Sequence, residues 1–255
     1  MEHRTVVVVG DKFSEFGALD GAITVSKLAN MIDGLVPENE MPRHVIFGQG
    51  ISESWLNYLK NRVATHSLPI QFSGERQISE RTGRRFCHKW QRRNVLITDP
   101  QHVGPKDYRM LLSVDDDCEI MSDHVSGHHL QGMVLIEAAR QAFLAVTERF
   151  LLPDTGKYYF AINKFDVTYL KFVFPLPTEI HFELLEADDS RSERLSASAK
   201  IAFYQAGERV CEVDVSYMAI VETILSAKEK KLAQGILSQI RSNAMRQSAE
   251  GALVA

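Results

Sequence analysis

Residues 123–141 read Asp-His-Val-Ser-Gly-His-His-Leu-Gln-Gly-Met-Val-Leu-Ile-Glu-Ala-Ala-Arg-Gln. Two textures meet at Gly132. Before it lies a polar loop, residues 122–131, with three histidines: His124, His128 and His129. After it an apolar segment continues to Leu152 and is ended by Pro153. Its apolar side chains (Met133, Val134, Leu135, Ile136, Phe143, Leu144, Val146, Phe150) fall on nearly every face of a helix. A helix that is apolar all round belongs in a core. Glu137 lies inside it, and a buried carboxylate needs a partner or a shifted pKa. Arg140, three residues on, is within reach on the same face and would satisfy it as a plain ion pair. The alternative is that Glu137 and a loop histidine form a site.

Downstream the periodicity changes to strand. Residues 158–163, 167–174, 179–186, 194–204 and 210–221 read as strands, the fourth with a clear alternation of Leu195, Ala197, Ala199, Ile201 and Phe203. Asp188-Asp189-Ser190 and Gln205-Ala206-Gly207-Glu208 read as turns, the latter a hairpin. Upstream, residues 95–98 and 108–114 add two strands. A sheet of long antiparallel strands around one buried helix is the expected α+β architecture. Residues 223–247 return to helical spacing, with Leu225, Leu232, Ile236 and Ile240 on one stripe and the end of the chain, residues 248–255, expected to be loose.

The first 75 residues are different. Strands at 5–9, 44–47 and 68–72 alternate with helices at 19–35 and 52–65, which predicts a small α/β region with a short parallel sheet. Such a unit is short to stand alone and is expected to lean on the rest. Between the two, residues 76–93 carry Arg76, Arg81, Arg84, Arg85, Lys89, Arg92 and Arg93 against Glu80. This basic stretch reads either as a solvated linker or as a dock for phosphates or an acidic partner. The expected organisation is an α/β region (1–75), a basic linker (76–93), an antiparallel domain (94–222) and a C-terminal helix and tail (223–255).

Composition excludes several classes. Of 255 residues, 45% are hydrophobic and 24% charged, and 29 Lys and Arg against 33 Asp and Glu give a net charge of −4. That balance argues against a dedicated nucleic-acid binder. No apolar run spans a membrane, and the Val6–Val9 run is too short for the core of a secretion signal. The three cysteines (Cys87, Cys118, Cys211) form no C-x-x-C pair, so a cytoplasmic setting without disulfides is expected. Gly48-Gln49-Gly50 lacks the third glycine of a dinucleotide fingerprint, and no P-loop is present. Asp123, His124, His128 and His129 could ligate a metal, but Gly127 opposes a helical His pair and no H-E-x-x-H accompanies them, so no metal is expected.

The segment resembles the hotdog superfamily, in which a sheet wraps a long central helix, and most of all the A-factor biosynthesis (AfsA-type) family. That family carries a D-H-x-P-G-M-x-L-x-E-A-x-R-Q style signature. His129, Gly132, Met133, Leu135, Glu137, Ala138, Arg140 and Gln141 match it, while Gln131 replaces the proline. The chain is similar, more distantly, to the β-hydroxyacyl carrier-protein dehydratases and thioesterases, whose helix-preceding histidine and helical carboxylate fall near His124 and Glu137. The resemblance implies a hotdog fold over about half of the chain and an enzyme acting on an acyl thioester of acyl carrier protein or coenzyme A. Family members transfer a β-ketoacyl group to an alcohol in making signalling molecules or secondary metabolites, and usually carry two hotdog repeats where this chain has one. Dehydration, hydrolysis and a non-catalytic acyl-binding or assembly role are the alternatives.

The loop chemistry fits that expectation. Unpaired amides of Gly132 and Met133 at a helix start favour a developing oxyanion. A neighbouring histidine, His129 or His124, can move a proton as general base or acid. Glu137 could orient it, activate a hydroxyl or stay protonated. Arg140 and Gln141 complete the expected substrate-binding set, and Arg84, Arg85, Arg92 and Arg93 the expected carrier dock. No bound cofactor is expected beyond the phosphopantetheine or CoA that carries the substrate. Hotdog sheets imply a two-fold homodimer.

Overall fold

The computed structural model describes residues 5–35, 37, 40–122, 127–153, 156–191 and 193–252. The N-terminal unit is a four-stranded parallel sheet in the order β2-β1-β3-β4, made of β1 (Thr5–Val9), β2 (Ala22–Thr24), β3 (His44–Phe47) and β4 (Gln71–Ser73). The expected sheet had three strands. The sequence pattern predicts helix over residues 22–24, whereas α1 starts only at Val25 (Val25–Asn30), where Thr24 caps it by accepting from the Lys27 amide. Strand β1 alternates between two cores. Val6 and Val8 face Leu28 and Ile32 on the α1 side and Leu56 and Leu59 of α2 (Glu53–Thr65), while Val9 packs with the helix and strands of the second unit. Helices therefore cover one face of this parallel sheet and the rest of the protein covers the other, as burial of both faces requires.

The second unit is a six-stranded antiparallel sheet in the order β5-β6-β8-β9-β10-β7. It contains β5 (Gln101–Gly104), β6 (Asp107–Leu111), β7 (Tyr158–Tyr169), β8 (Glu179–Arg191), β9 (Arg194–Gln205) and β10 (Glu208–Val221). It wraps α4 (Gly132–Val146), ten of whose fifteen residues are buried. Phe143 stacks on Tyr217 at 4.4 Å between centroids, and the Tyr217 hydroxyl lies 2.7 Å from Thr147 Oγ1. Four strand expectations are corrected. Residues 95–98 make only isolated bridges, because Leu96 bonds to a side chain of α4 instead of a strand. Residues 101–104 form a strand that the sequence pattern hid. Residues 158–169 are one strand across a bulge, and 170–178 leave the sheet before Pro177. The ladder of β8 runs on through Asp188-Asp189-Ser190 to Arg191, with an irregular register there. The short helix α3 (Arg76–Ser79) joins the units, and α5 (Glu222–Ala252) follows β10 directly, its apolar stripe exposed at Leu232, Ile236 and Ile240.

Candidate functional site

A largely apolar cavity of about 590 Å³ opens at the start of α4. One wall is His129, Leu130, Gly132, Met133 and Leu135; the other is residues 169–173 at the end of β7 and beyond. The walls are tied by the Leu130 N–H donating to the Val173 carbonyl at 2.7 Å. The lip carries exposed apolar side chains, Met133 at 57%, Leu170 at 50% and Phe172 at 70%. The His129 ring packs 5.0 Å from Phe172.

Helix α4 begins without a side-chain cap. Gln131 turns its amide to the Ile120 carbonyl instead, and the first intrahelical-type bond is Val134 N–H to Gln131 O at 3.1 Å. The amides of Gly132 and Met133 precede that bond and lie at the cavity wall, where the helix start favours negative charge. A Cβ at position 132 would stand 2.6 Å from the Tyr169 hydroxyl, so glycine is what allows that phenol to sit over the helix start. Burial raises the Tyr169 pKa, keeping it a protonated donor. Tyr169 is a candidate that sequence reasoning missed: it closes an ordinary strand pattern, and nothing local marks it.

Glu137 is elsewhere. It does not line this cavity. It accepts from Arg140 Nε at 2.7 Å and Nη2 at 2.8 Å, from Gln141 Nε2 at 3.0 Å, and pairs with Lys89 Nζ at 2.6 Å. Burial alone would raise its pKa, but the bonds from Arg140 and Lys89 and the Arg140 charge outweigh it and hold the carboxyl below its usual range. Of the three roles expected for Glu137 (orienting a histidine, activating a hydroxyl, staying protonated), these partners oppose the last and hold the carboxylate in an ion-pair cluster. Gln141 is fully buried, with Oε1 accepting from the Leu96 amide at 2.8 Å and Nε2 donating to the Asn94 carbonyl at 2.8 Å. The expected site residues therefore divide into a cavity group (His129, Gly132, Met133) and a cluster (Glu137, Arg140, Gln141) that fastens residues 89–96 to α4. His124 and Asp123 lie outside the described residues. Among the described residues no three metal-ligating side chains gather.

The basic stretch is packed against the molecule. Arg81 is buried, with Nη1 2.5 Å from Asp115 and Nε 2.7 Å from Ser113 Oγ. Arg92 pairs with Glu53 and donates to two backbone carbonyls, and Arg93 pairs with Glu119. Arg84 and Arg85 stay exposed beside Trp90 and Phe86.

The model of the A-factor biosynthesis hotdog domain (AfsA) matches residues 70–220, more than half of the chain. The chain belongs to the A-factor biosynthesis hotdog domain family. The antiparallel unit is accordingly a hotdog domain. No curated protein matches the chain by sequence. Similar solved structures include a mutant thioesterase of Pseudomonas aeruginosa, at 11% identity and a TM-score of 0.38 over 49% of this chain and 81% of that one. A putative thioesterase of Shewanella oneidensis is 10% identical, with a TM-score of 0.38 over 54% and 87%. A mutant of the phenylacetic acid degradation protein PaaI of Thermus thermophilus is 15% identical, with a TM-score of 0.33 over 47% and 90%.

Proposed function

We propose that this protein is an acyltransferase that moves an acyl group from a thioester of acyl carrier protein or CoA to a hydroxyl acceptor in signalling-molecule or secondary-metabolite biosynthesis. The observation that carries the reading is the apolar cavity at the uncapped start of α4, with His129 on its wall, in a chain of the A-factor hotdog family. The acyl chain lies against Leu130, Leu135 and Val173. The carbonyl oxygen sits at the Gly132 and Met133 amides, which stabilise it as charge develops. The acceptor oxygen attacks the carbonyl carbon and its proton passes to His129; the C–S bond then breaks and His129 returns the proton to the departing thiolate. The Tyr169 hydroxyl supplies a further donor. The dock for the carrier is Arg84 and Arg85, two exposed guanidinium groups of the basic stretch.

A homodimer belongs to the same proposal. Among the described residues strand β7 pairs only with β10, which leaves its other edge, twelve residues long, without a strand partner and with Tyr159 and Ile162 exposed. Such an edge invites a second copy, and light scattering at micromolar concentration should give twice the 28.8 kDa chain mass. A cytoplasmic setting is proposed with it, supported by three buried free cysteines. No helix among the described residues is long and apolar enough to cross a membrane.

The test is mass spectrometry of the protein incubated with a panel of acyl-CoA and acyl-pantetheine thioesters, with and without a glycerol-type alcohol. Acyl ester formed together with free thiol is the expected result, and His129→Ala should lower turnover about 10²–10⁴-fold. Thiol release without need of alcohol would identify a thioesterase, and an enoyl product a dehydratase. A rise in melting temperature with no thiol released would identify a binding module.

A further inference from the structure

Strand order in the N-terminal sheet reverses between β1 and β3, which places a topological switch point at their C-terminal ends. Open α/β sheets take their ligands in that crevice. Here the hotdog unit fills it. The Gln49 N–H donates to the Pro175 carbonyl at 3.0 Å, and the Gly50 N–H donates to the Val114 carbonyl at 2.9 Å. A Cβ at Gly48 would stand 2.2 Å from the Pro175 oxygen. The Gln49 side chain, 1% exposed, accepts from the Val114 amide at 2.8 Å and donates towards the carbonyls of Leu112 at 3.1 Å and Leu176 at 3.3 Å.

The turns that follow β1 reach the other side of the cavity. The Phe16 N–H donates to the Gly127 carbonyl at 3.1 Å, and Glu15 Oε2 lies 2.7 Å from His128 Nδ1. The Phe16 ring also stands 6.0 Å from Phe174. The N-terminal unit thus grips the residues just before the His129 wall (127 and 128) and just after the Phe172 wall (174–176). Both walls are short stretches without strand or helix of their own, apart from the first turn of α4 and the end of β7.

We infer that the N-terminal α/β unit is a positioning element for the cavity, with Phe16 and Gln49 setting the spacing of its two walls, and that its sheet has given up its own ligand crevice to make this contact. The inference rests on the proposed function only in naming the cavity as the acyl site. Phe16 and Gln49 are positioning residues and touch no substrate.

The experiment is hydrogen exchange read by mass spectrometry on the full chain, paired with octanoyl-CoA binding by calorimetry. Phe16→Leu should speed exchange about tenfold in peptides covering 127–135 and 170–176, the scale expected when one aromatic contact is lost from a locally opening segment. Exchange in the middle of α4 should stay unchanged. Glu15→Gln, a surface change that leaves the core intact, should speed exchange in the first peptide only, and by less. Asp33→Asn breaks the pair with Arg62 on the far side of the same unit and should leave both wall peptides alone. Unchanged wall exchange in both Phe16→Leu and Glu15→Gln would overturn the inference. So would exchange that rises equally throughout α4, which marks a merely structural role. Should Phe16→Leu fail to fold, Glu15→Gln decides alone. Octanoyl-CoA affinity should fall several-fold in Phe16→Leu and hold in Asp33→Asn. If the wild type does not bind octanoyl-CoA while the exchange pattern holds, the thioester reading fails and the positioning role stands.

Discussion

Glu137 shows how far one residue can be read from sequence. Its place in an apolar helix marks it as a carboxylate with partners, and Arg140 is visible three positions on. Lys89 is not visible, because it lies 48 positions before Glu137 and only the fold brings its ammonium to 2.6 Å. The same holds for Gln141, whose acceptor oxygen serves the Leu96 amide. With two cations converging on it, Glu137 has a structural task with a predicted consequence. Glu137→Gln leaves Arg140 and Lys89 facing each other without a counter-charge and should destabilise the protein by roughly 2–4 kcal/mol at neutral pH. This contrasts with the near-neutral effect on folding that a purely catalytic carboxylate would show. The sign of the pH dependence follows from the depressed pKa. The folded value lies below the unfolded one, so the stabilisation is present above about pH 4.3 and is lost as pH falls through the folded value. Urea titrations of both proteins should therefore converge in acid and separate towards neutrality. Equal stability at pH 7 would show that the network carries no net energy.

Elements were legible where one periodicity dominates. The central helix declared itself by apolar residues on every face, and β9 by strict alternation. Strand β2 was hidden because Ala22-Ile23-Thr24 runs straight into α1 with no breaker between them. Residues 95–98 misled because β-branched and apolar residues there are buried against α4, so they show strand composition without strand pairing. The β9–β10 hairpin was read correctly and its geometry makes a test. Ala206 and Gly207 both have positive φ, 51° and 79°, between the paired residues Gln205 and Glu208. That is the two-residue turn that favours Asn-Gly, and an alanine there is held in a left-handed conformation that costs a residue with a Cβ about 1 kcal/mol. The position is exposed and touches no core. Ala206→Asn should stabilise the protein by about 0.5–1 kcal/mol, seen as a higher denaturation midpoint at unchanged m-value. A lower midpoint would mean that the turn does not hold this conformation in solution.

At the scale of the whole molecule the question is whether two units make one folding unit. The expected division near residue 75 follows chain composition, and composition carries no sign of the seam. The seam lies in alternate residues of one strand, since Val8 faces α1 and α2 whereas Val9 shares a core with Ala138, Phe143 and Tyr217. Phe13, Phe16 and Ala22 join Val9 in that core, so taking the units apart would expose apolar surface on both. Gln49 adds a buried hydrogen-bond node whose acceptors, Leu112 and Leu176, are carbonyls of the hotdog unit. An apolar side chain in place of Gln49 would leave those carbonyls buried and unpaired, which costs about 1–3 kcal/mol per group. Neither unit therefore has a low-energy state without the other. Scanning calorimetry at fixed protein concentration should show one transition, with calorimetric and van't Hoff enthalpies equal for the cooperating species. Val9→Ala removes two methyl groups from a fully buried site at the seam and should lower that single transition without splitting it. Two resolved transitions in the wild type would show that the hotdog unit keeps its fold when the α/β unit is lost, and that the shared core is too weak to couple them.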